Sequence, residues 1–333
     1  MKKILHIACL LNPAKGIQRQ MQMENESSKI LNIPFDSKIF VTTDYFKEND
    51  IFIDSKVQGN TLKSYILLRV KFIFWIIQNQ KKYDLILLRY SMHDPFQWIL
   101  SFFLRKYLTV HHTFEIEEAG LNGGLKGKIK KLIEKLFSGR VLNNTLGIVG
   151  VTNEIIKYEI ARLKIEKNRK TFLYTNGIRC DSSVKDNRKK ELEGVFVASL
   201  FSPWIGLDLL IEEFKKKPQN IDSIKIHLVG QIPNSLLDEV NKIDNFIVHG
   251  SLEYNDLQNL MQECSFGMTS FAFYRKNMYE ACTLKTREYL CHGLPVIGGY
   301  KEAGFDESFP YYKQIECDLE KIIEFGNDSN KQQ

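Results

Sequence analysis

The chain has 333 residues, of which 44% are apolar and 26% charged, an ordinary composition for a soluble globular protein. It excludes disordered, collagen-like and disulfide-scaffold classes, and the length suits two domains of about 150 residues each. The net charge of +6 is unevenly divided: residues 1–178 carry 28 Lys and Arg against 16 Asp and Glu, whereas residues 179–333 carry 18 against 24. This split predicts two domains with different partners.

The first half alternates strand-like and helix-like segments. The amino-terminal run is interrupted by His6 and lacks a small-residue cleavage site, so it predicts a buried strand and not a secretory signal. The predicted strands are KILHIACLL, KIFVTT, YDLILLRY, LTVHHT, LGIVGVT and FLYTNGI. The predicted helices are GIQRQMQMENESSKILNI, Ser64–Gln80, Pro95–Tyr107, Lys126–Phe137 and NEIIKYEIARL.

A polar, charged stretch over 179–194 is the best linker candidate, and the alternation restarts after it. The predicted strands are VFVASL, IKIHLVG, FIVHG, FGMTS and PVIGG, with predicted helices between them and after the last. Repeated alternation of this kind predicts parallel sheets with helices on both faces. We therefore expect two Rossmann-like domains, 1–178 and 179–333, facing across a cleft, with ligands at the carboxyl ends of the strands.

Several classes of protein are excluded or disfavoured by missing motifs. The chain lacks G-x-G-x-x-G after its first strand, G-x-x-x-x-G-K-[ST], H-E-x-x-H and G-x-S-x-G. The six cysteines form no C-x-x-C pair and match no zinc spacing, which favours a reducing cytoplasm. The most apolar later stretch, Tyr65–Ile77, is too short and too charged to span a bilayer. We expect a cytoplasmic protein.

The most informative segment is RKNMYEACTLKTREYLCHGLPVIGG, residues 275–299. Thr283, Leu284 and Lys285 fall where a loop becomes a helix, a place that offers backbone N–H groups and positive potential to a diphosphate. Glu288, one turn into the helix, can accept hydrogen bonds from ribose hydroxyls, and Glu280 can do the same for a second sugar. The alternative is that both glutamates are solvated surface charges.

This segment resembles the Glu-x7-Glu signature of retaining glycosyltransferases with the GT-B fold, family 4 in particular. Four further segments resemble the family in the same order: FLYTNGIRCD, VASLFSPWIGLDLLIEEF, IHLVGQIPN and FIVHGSLEYNDLQNLMQECSFGMTS. The resemblance implies two Rossmann-like domains, a nucleotide-diphosphate sugar as donor, and no obligatory metal or other cofactor. It also implies a C-terminal crossover helix, which we expect to be short or absent here.

The resemblance assigns roles to individual residues. It implies that Glu280 and His112, the latter in LTVHHTFEIEE, contact the donor sugar near the reacting centre; His111 remains an alternative to His112. The residues implied to bind the donor are Gly16, Gly230, Tyr254, Arg275, Thr283, Leu284, Lys285 and Glu288. Glu115, Glu117 and Glu118 follow closely and could bind acceptor hydroxyls or act as a base, and Glu115 and Glu118 are the candidates for acceptor binding.

Two cations that the family uses to neutralise the diphosphate are replaced by Ser199 and Ile205. Lys285, Arg287 or Arg275 could supply the charge instead. Alternatively, donor binding is lost and the protein is a non-catalytic GT-B scaffold. A third possibility is a UDP-sugar epimerase of the same fold, which would act without an acceptor.

The segment KGKIKKLIEKLFSGR, residues 126–140, predicts a basic amphipathic helix. Ile129, Leu132, Ile133, Leu136 and Phe137 recur at helical spacing among its lysines. Together with the basic first half, this pattern favours contact with an anionic membrane over packing of the stripe on the domain. No nucleic-acid motif accompanies the charge. The resemblance, together with this charge, implies a hexosyltransferase that uses a UDP- or GDP-sugar and a glycan or lipid-linked acceptor, in bacterial surface polysaccharide (capsule or lipopolysaccharide) assembly.

Overall fold

A computed structural model describes residues 2–121, 124–163, 169–180, 191–216 and 224–331. The chain divides into two compact units, Met1–Asn176 and Gly177–Gln333. The division falls two residues before the boundary expected from the sequence. Most of the predicted linker, residues 181–190, lies outside the described residues.

The first unit is built on a seven-stranded parallel sheet in the order β3-β2-β1-β4-β5-β6-β7. Its strands are β1 Ile4–Cys9, β2 Phe35–Val41, β3 Phe52–Asp54, β4 Leu85–Arg89, β5 Tyr107–His111, β6 Gly147–Gly150 and β7 Lys170–Leu173. Its α-helices are α1 Lys15–Ile30, α2 Leu62–Asn79, α3 Pro95–Ser101, α4 Glu115–Leu121, α5 Gly124–Asn144 and α6 Asn153–Ala161.

The strands β1 and β5 are buried almost throughout, which explains why most of their residues are apolar. Leu5 and Ile7 of β1 are fully buried, and so is His6 between them, because its ring Nδ1 lies 2.6 Å from the carboxylate of Glu24. Several helices of this unit start at a side-chain cap. The hydroxyl of Thr61 accepts a hydrogen bond from the N–H of Ser64, and the carboxylate of Asp94 accepts one from Phe96.

Three predictions for the first unit differ from the structure. The helix predicted over Pro95–Tyr107 ends at Ser101, and Tyr107 instead begins β5, where it pairs with Ile86 of β4. The segment Ser64–Gln80, whose apolar run predicts a mostly buried helix, is only partly buried, since Ile66 is 43% and Phe74 is 63% exposed. The helix α4 was not predicted from its sequence.

The second unit is built on a six-stranded parallel sheet in the order β10-β9-β8-β11-β13-β15, with β12 and β14 paired separately. Its strands are β8 Leu192–Leu200, β9 Ile224–Gln231, β10 Phe246–Gly250, β11 Phe266–Met268, β12 Glu280–Ala281, β13 Val296–Gly298, β14 Lys301–Glu302 and β15 Tyr312–Gln314. Its α-helices are α7 Leu207–Lys216, α8 Asn234–Val240, α9 Tyr254–Glu263, α10 Leu284–Cys291 and α11 Leu319–Lys331.

The strand β8 begins inside the predicted linker, because residues 192–194 pack as part of the sheet. Glu193 is buried and bonds the ring of His227, and a Cβ at Gly194 would lie only 2.6 Å from the ring of Phe266. The strand order reverses between β8 and β11. In sheets of this type the carboxyl edge at such a reversal is where ligands bind.

The two Rossmann-like units confirm the predicted α/β fold class. Two further features concern the whole chain. The sulfurs of Cys180 and Cys291 are bonded, a pairing that the cysteine spacing did not predict, whereas Cys9, Cys264, Cys282 and Cys317 form no disulfide. Within the described ranges, no helix combines the length and apolarity required to cross a membrane.

Candidate functional site

The helix α10 begins at a threonine cap on the carboxyl side of the second unit's sheet. The hydroxyl of Thr283 accepts a hydrogen bond from the N–H of Thr286 at 3.3 Å. Helix geometry leaves the N–H groups of Leu284 and Lys285 without an acceptor inside the helix. The helix start therefore has backbone donors and a positive dipole end, which suit an anion.

A buried tyrosine braces this helix start. The hydroxyl of Tyr300 lies 3.1 Å from Oγ1 of Thr283 and 3.0 Å from Oγ1 of Thr286. The hydroxyl of Tyr312 donates in turn to the backbone oxygen of Tyr300 at 2.5 Å. Because Tyr300 is fully buried, these contacts fix the threonine cap from inside the domain.

A buried ion pair joins α10 to the short strand β14. Arg287 donates to the carboxylate of Glu302 at 2.5 Å, to the backbone oxygen of Ala303 at 2.7 Å and to that of Thr283 at 3.2 Å. Burial raises the pKa of Glu302 to about 7, although Arg287 acts in the opposite direction. These contacts hold the guanidinium of Arg287 within the second unit, so it is not positioned to bind a diphosphate.

Glu280 reaches the same region through β12. Its backbone pairs with Lys301 of β14, and the following pair joins Ala281 to Glu302. The ion pair of Glu302 with Arg287 consequently links the strand that carries Glu280 to the helix that carries Lys285. The side chain of Glu280 is half-buried.

Lys285 and Glu288 lie next to each other on the first turns of α10, and both are half-buried. Burial lowers the pKa of Lys285, whereas the nearby carboxylate of Glu288 raises it. Lys285 makes no hydrogen bond or ion pair with any residue that the structure describes. The geometry thus brings together Glu280, Thr283, Leu284, Lys285 and Glu288 on β12 and α10.

The other candidate cations of this unit have structural partners. Arg275 forms a bidentate ion pair with the carboxylate of Asp208, with hydrogen bonds of 2.9 and 2.7 Å. The ammonium of Lys276 lies 4.9 Å from the ring centre of Trp204. Ile205 packs against the core, while Ser199 is exposed at the end of β8. Among the cations proposed to replace the missing pair, Lys285 is the one positioned to meet an anion.

Gly230 and Tyr254 lie elsewhere on the carboxyl edge of the same sheet. Gly230 has φ +127°, and a side chain there would collide with the carbonyl oxygen of Ala198, so close strand packing alone requires glycine. Tyr254 begins α9 after β10; its ring is 41% exposed and its hydroxyl accepts a hydrogen bond from Gln258. Their assignment to donor binding stays a prediction.

The remaining predicted site residues belong to the first unit. Gly16 lies in the first turn of α1, and a Cβ there would meet no atom within 4 Å. His111 ends β5, is fully buried and stacks on Tyr90, with ring centres 4.6 Å apart. His112 follows the strand, and burial with the nearby positive charge of Arg89 lowers its pKa well below the ordinary value. Its ring is therefore neutral at pH 7.

Glu115 belongs to a buried charge network instead of an open acceptor site. Its carboxylate lies 2.8 Å from Nδ1 of His111 and accepts from Arg162 at 2.7 Å, and these partners lower its pKa to about 2 in spite of burial. Arg162 also bonds Glu134 and Glu159. Because Glu115 is 2% exposed with both oxygens engaged, the geometry disfavours a contact with acceptor.

Within this cluster, His111, Glu115 and Glu159 place possible metal-ligand atoms within 4.8 Å of one another. The guanidinium of Arg162 already supplies a cation to Glu115 and Glu159.

Glu118 is half-buried and accepts a hydrogen bond from Thr113 at 2.6 Å. Its role in binding an acceptor stays a prediction.

The sequence did not predict that Tyr300 contacts the threonine cap of α10 or that Glu302 pairs with Arg287. Neither residue lies at a local spacing that links it to α10, and the contacts form only when β13 and β14 return beside the helix. The local sequence signal for this part of the site was Thr283, a threonine just before a helical run, which predicts the start of a helix.

The chain is similar to known proteins in part of its sequence and in its fold. Residues 192–309 match the family model described as glycosyl transferases group 1. No curated protein matches. Three solved structures are similar over nearly the whole chain: the lipopolysaccharide outer core galactosyltransferase WaaB, the glycosyltransferase WaaG of lipopolysaccharide biosynthesis, and S. aureus TarM with Fondaparinux, alpha-GlcNAc-glycerol and UDP.

The similarity to these structures is one of fold, because the identities are low. WaaB is 11% identical with a TM-score of 0.59, covering 99% of this chain and 89% of its own. WaaG is 13% identical with a TM-score of 0.60, covering 98% and 90%, and TarM is 10% identical with a TM-score of 0.66, covering 99% and 96%. Residues 192–309 thus match the family of glycosyl transferases group 1, and the whole chain has the GT-B fold of these glycosyltransferase structures.

Proposed function

We propose that the protein transfers a hexose from a UDP- or GDP-sugar to a hydroxyl of a glycan or lipid-linked glycan, with retention of configuration. The observation that carries this proposal is the start of α10. Its backbone donors and the ammonium of Lys285 lie in the chain between two half-buried carboxylates, Glu280 and Glu288. That arrangement suits a diphosphate flanked by two sets of sugar hydroxyls.

The chemistry follows from where charge develops. As the bond from the anomeric carbon to the diphosphate breaks, negative charge grows on the leaving phosphate oxygen. The helix start and Lys285 stabilise that charge without moving, which lowers the barrier. The acceptor oxygen then bonds to the same face of the sugar, and its proton passes to the departing phosphate. In this proposal the diphosphate needs no metal ion.

The names of the relatives support the choice of substrate class. WaaB is called a galactosyltransferase of the lipopolysaccharide outer core, and TarM was solved with UDP. We carry over from them a UDP-sugar donor and a bacterial surface glycan as acceptor. His112 remains our choice for the residue of the first unit that contacts the transferred sugar.

Calorimetric titration of the full chain with UDP and with GDP tests the donor site. Wild type should bind one of them, and Lys285→Ala should bind it about 10- to 100-fold more weakly, the range expected for a lost charge-assisted hydrogen bond. Glu288→Gln should weaken nucleotide binding through the ribose. The matched controls are Lys313→Ala and Glu316→Gln, two exposed residues of the same unit.

Transfer should be abolished in Lys285→Ala and Glu288→Ala while their circular dichroism stays that of wild type. Wild-type turnover in either variant would refute the site. Failure of the wild type to bind any UDP- or GDP-sugar would instead favour the rival function, a non-catalytic GT-B scaffold. The observation that favours this rival is the absence of a cation at Ser199 and Ile205.

We also propose that the enzyme works on an anionic membrane at its cytoplasmic face, bound through α5. Four apolar residues on this helix are largely exposed: Leu125 at 74%, Ile129 at 48%, Leu132 at 58% and Leu136 at 49%. The face of α5 that packs inward is instead partly polar and includes Glu134 and Ser138. Packing on the domain therefore does not explain the exposed stripe.

Neighbouring residues enlarge this apolar surface. The helix α3 packs against α5, with the rings of Trp98 and Phe137 5.4 Å apart. Beside that contact Ile99, Phe102 and Phe103 are 42%, 62% and 50% exposed. The lysines of α5 supply positive charge next to it, namely Lys126, Lys128, Lys130, Lys131 and Lys135. Apolar insertion and attraction to acidic headgroups thus act at one surface.

A further inference from the structure

Cys180 and Cys291 lie 111 positions apart in the sequence, yet their Cα atoms are only 5.2 Å apart and their sulfurs are bonded. This Cα separation falls within the range of about 4.4–6.8 Å that a disulfide requires. Of the other four cysteines, Cys9, Cys264 and Cys282 are buried and Cys317 is half-buried, and none of the four forms a disulfide. A chain in which most cysteines form no disulfide suits a reducing compartment, where persistent disulfides are rare.

The positions of the two cysteines connect the start of the second unit to its candidate donor helix. Cys180 lies close to Gly177, where the second unit begins, and Cys291 is the last residue of α10. Cys180 is exposed and Cys291 is half-buried, so a small thiol or disulfide can reach the bond. Accessible disulfides are the ones that exchange readily.

We propose that Cys180 and Cys291 form a reversible redox site that takes a low-molecular-weight disulfide, such as oxidised glutathione, as its oxidant. The Cys180 thiolate attacks the oxidant and releases one glutathione thiolate. The Cys291 thiolate then attacks the mixed disulfide and releases the second. The two cysteines lose two protons and two electrons, and one glutathione disulfide becomes two glutathione thiols.

The exposure of the two cysteines determines which sulfur attacks first. Cys180 is exposed, so an oxidant in solution reaches its sulfur first. Cys291 is half-buried at the last residue of α10, so its sulfur attacks second. Oxidation fixes the carboxyl end of α10 to the segment around Cys180, and reduction releases it. The redox state therefore sets how freely the candidate donor helix moves.

The full-length protein is equilibrated in buffers of varied reduced and oxidised glutathione, quenched with acid, alkylated and digested. Mass spectrometry should find a peptide linking Cys180 to Cys291 that accumulates as oxidised glutathione rises and disappears when reduced glutathione is restored. Cys317→Ser, the matched control, should behave as wild type. Cys291→Ser should keep one glutathione on Cys180.

No linked peptide at any ratio, or a link that reduced glutathione does not open, would overturn the proposal. Hydrogen exchange tests its consequence: amides of α10 should exchange at least several-fold more slowly in the oxidised protein than in the reduced protein or in Cys180→Ser. Equal exchange would overturn the effect on the helix. Neither readout uses a nucleotide, so both remain decisive if the proposed donor fails to bind.

Discussion

Glu302 is a single residue whose protonation should be visible in the stability of the whole chain. Its pKa is raised from 4.5 in the unfolded chain to about 7 in the folded one, because burial penalises the carboxylate. The folded state then binds the proton more tightly between these values, so the contribution of Glu302 to stability is greatest below pH 4.5 and falls as the pH rises to 7. The shift corresponds to roughly 3 kcal/mol.

We expect the free energy of unfolding of wild type, minus that of Glu302→Gln, to fall by roughly 3 kcal/mol between pH 4.5 and 8. Urea denaturation at several pH values measures this difference, which cancels the other titrating groups. Glu307→Gln is the control, because its carboxylate is exposed. A difference that is constant with pH, or that rises, would contradict the shift.

Arg162 is the residue on which the charge network of the first unit depends. It bonds Glu115, Glu134 and Glu159, all at most 2% exposed. Its removal takes the guanidinium away from these three buried carboxylates, and breaking a buried ion pair costs about 3–5 kcal/mol. We expect Arg162→Met to lower the urea midpoint strongly, whereas the exposed Arg140→Met should change stability much less. Equal midpoints for the two variants would show that the network does not stabilise the fold.

The helix α5 carries a prediction at the level of an element. Replacing Leu132 and Leu136 by serine removes apolar side chains that are already exposed, so the thermal midpoint should stay within about two degrees of wild type. The same change should markedly reduce flotation with vesicles of phosphatidylglycerol and phosphatidylcholine. Val248→Ser, an exposed valine of β10, is the control. Undiminished flotation of the double variant would refute membrane contact through this stripe.

The elements themselves show what the sequence can predict. Buried runs such as β1 and the threonine before α10 report local preferences, so the alternating architecture and the start of the candidate site were predictable. The end of α3 at Ser101 was not predictable from local preferences, because Tyr107 belongs to β5 and pairs with Ile86 of β4. The partners of Arg275 and Arg287 were also hidden, since Asp208 and Glu302 come from other elements.

The distribution of charge over the whole molecule separates two explanations of membrane binding. If net charge alone attracts the protein to the membrane, every lysine should contribute equally to vesicle binding, wherever it lies. If the basic helix of the first unit is responsible, only local lysines should matter, because screening limits surface interactions to about 10 Å at 0.1 M salt. The first 178 residues contain 28 of the 46 basic residues, which makes the local explanation the stronger one.

Two triple variants of equal net charge distinguish these explanations. Replacement of Lys126, Lys128 and Lys135 by glutamine removes three exposed charges from α5, and replacement of Lys301, Lys313 and Lys321 removes three exposed charges from the second unit. Near an acidic surface each lysine contributes about 1 kcal/mol, so the first variant should bind vesicles at least tenfold more weakly at 0.1 M salt. The second should bind like wild type, and the wild type itself should lose affinity as salt rises. Equal weakening of both variants would mean that overall charge attracts the protein, and salt-independent binding by wild type would remove the electrostatic contribution altogether.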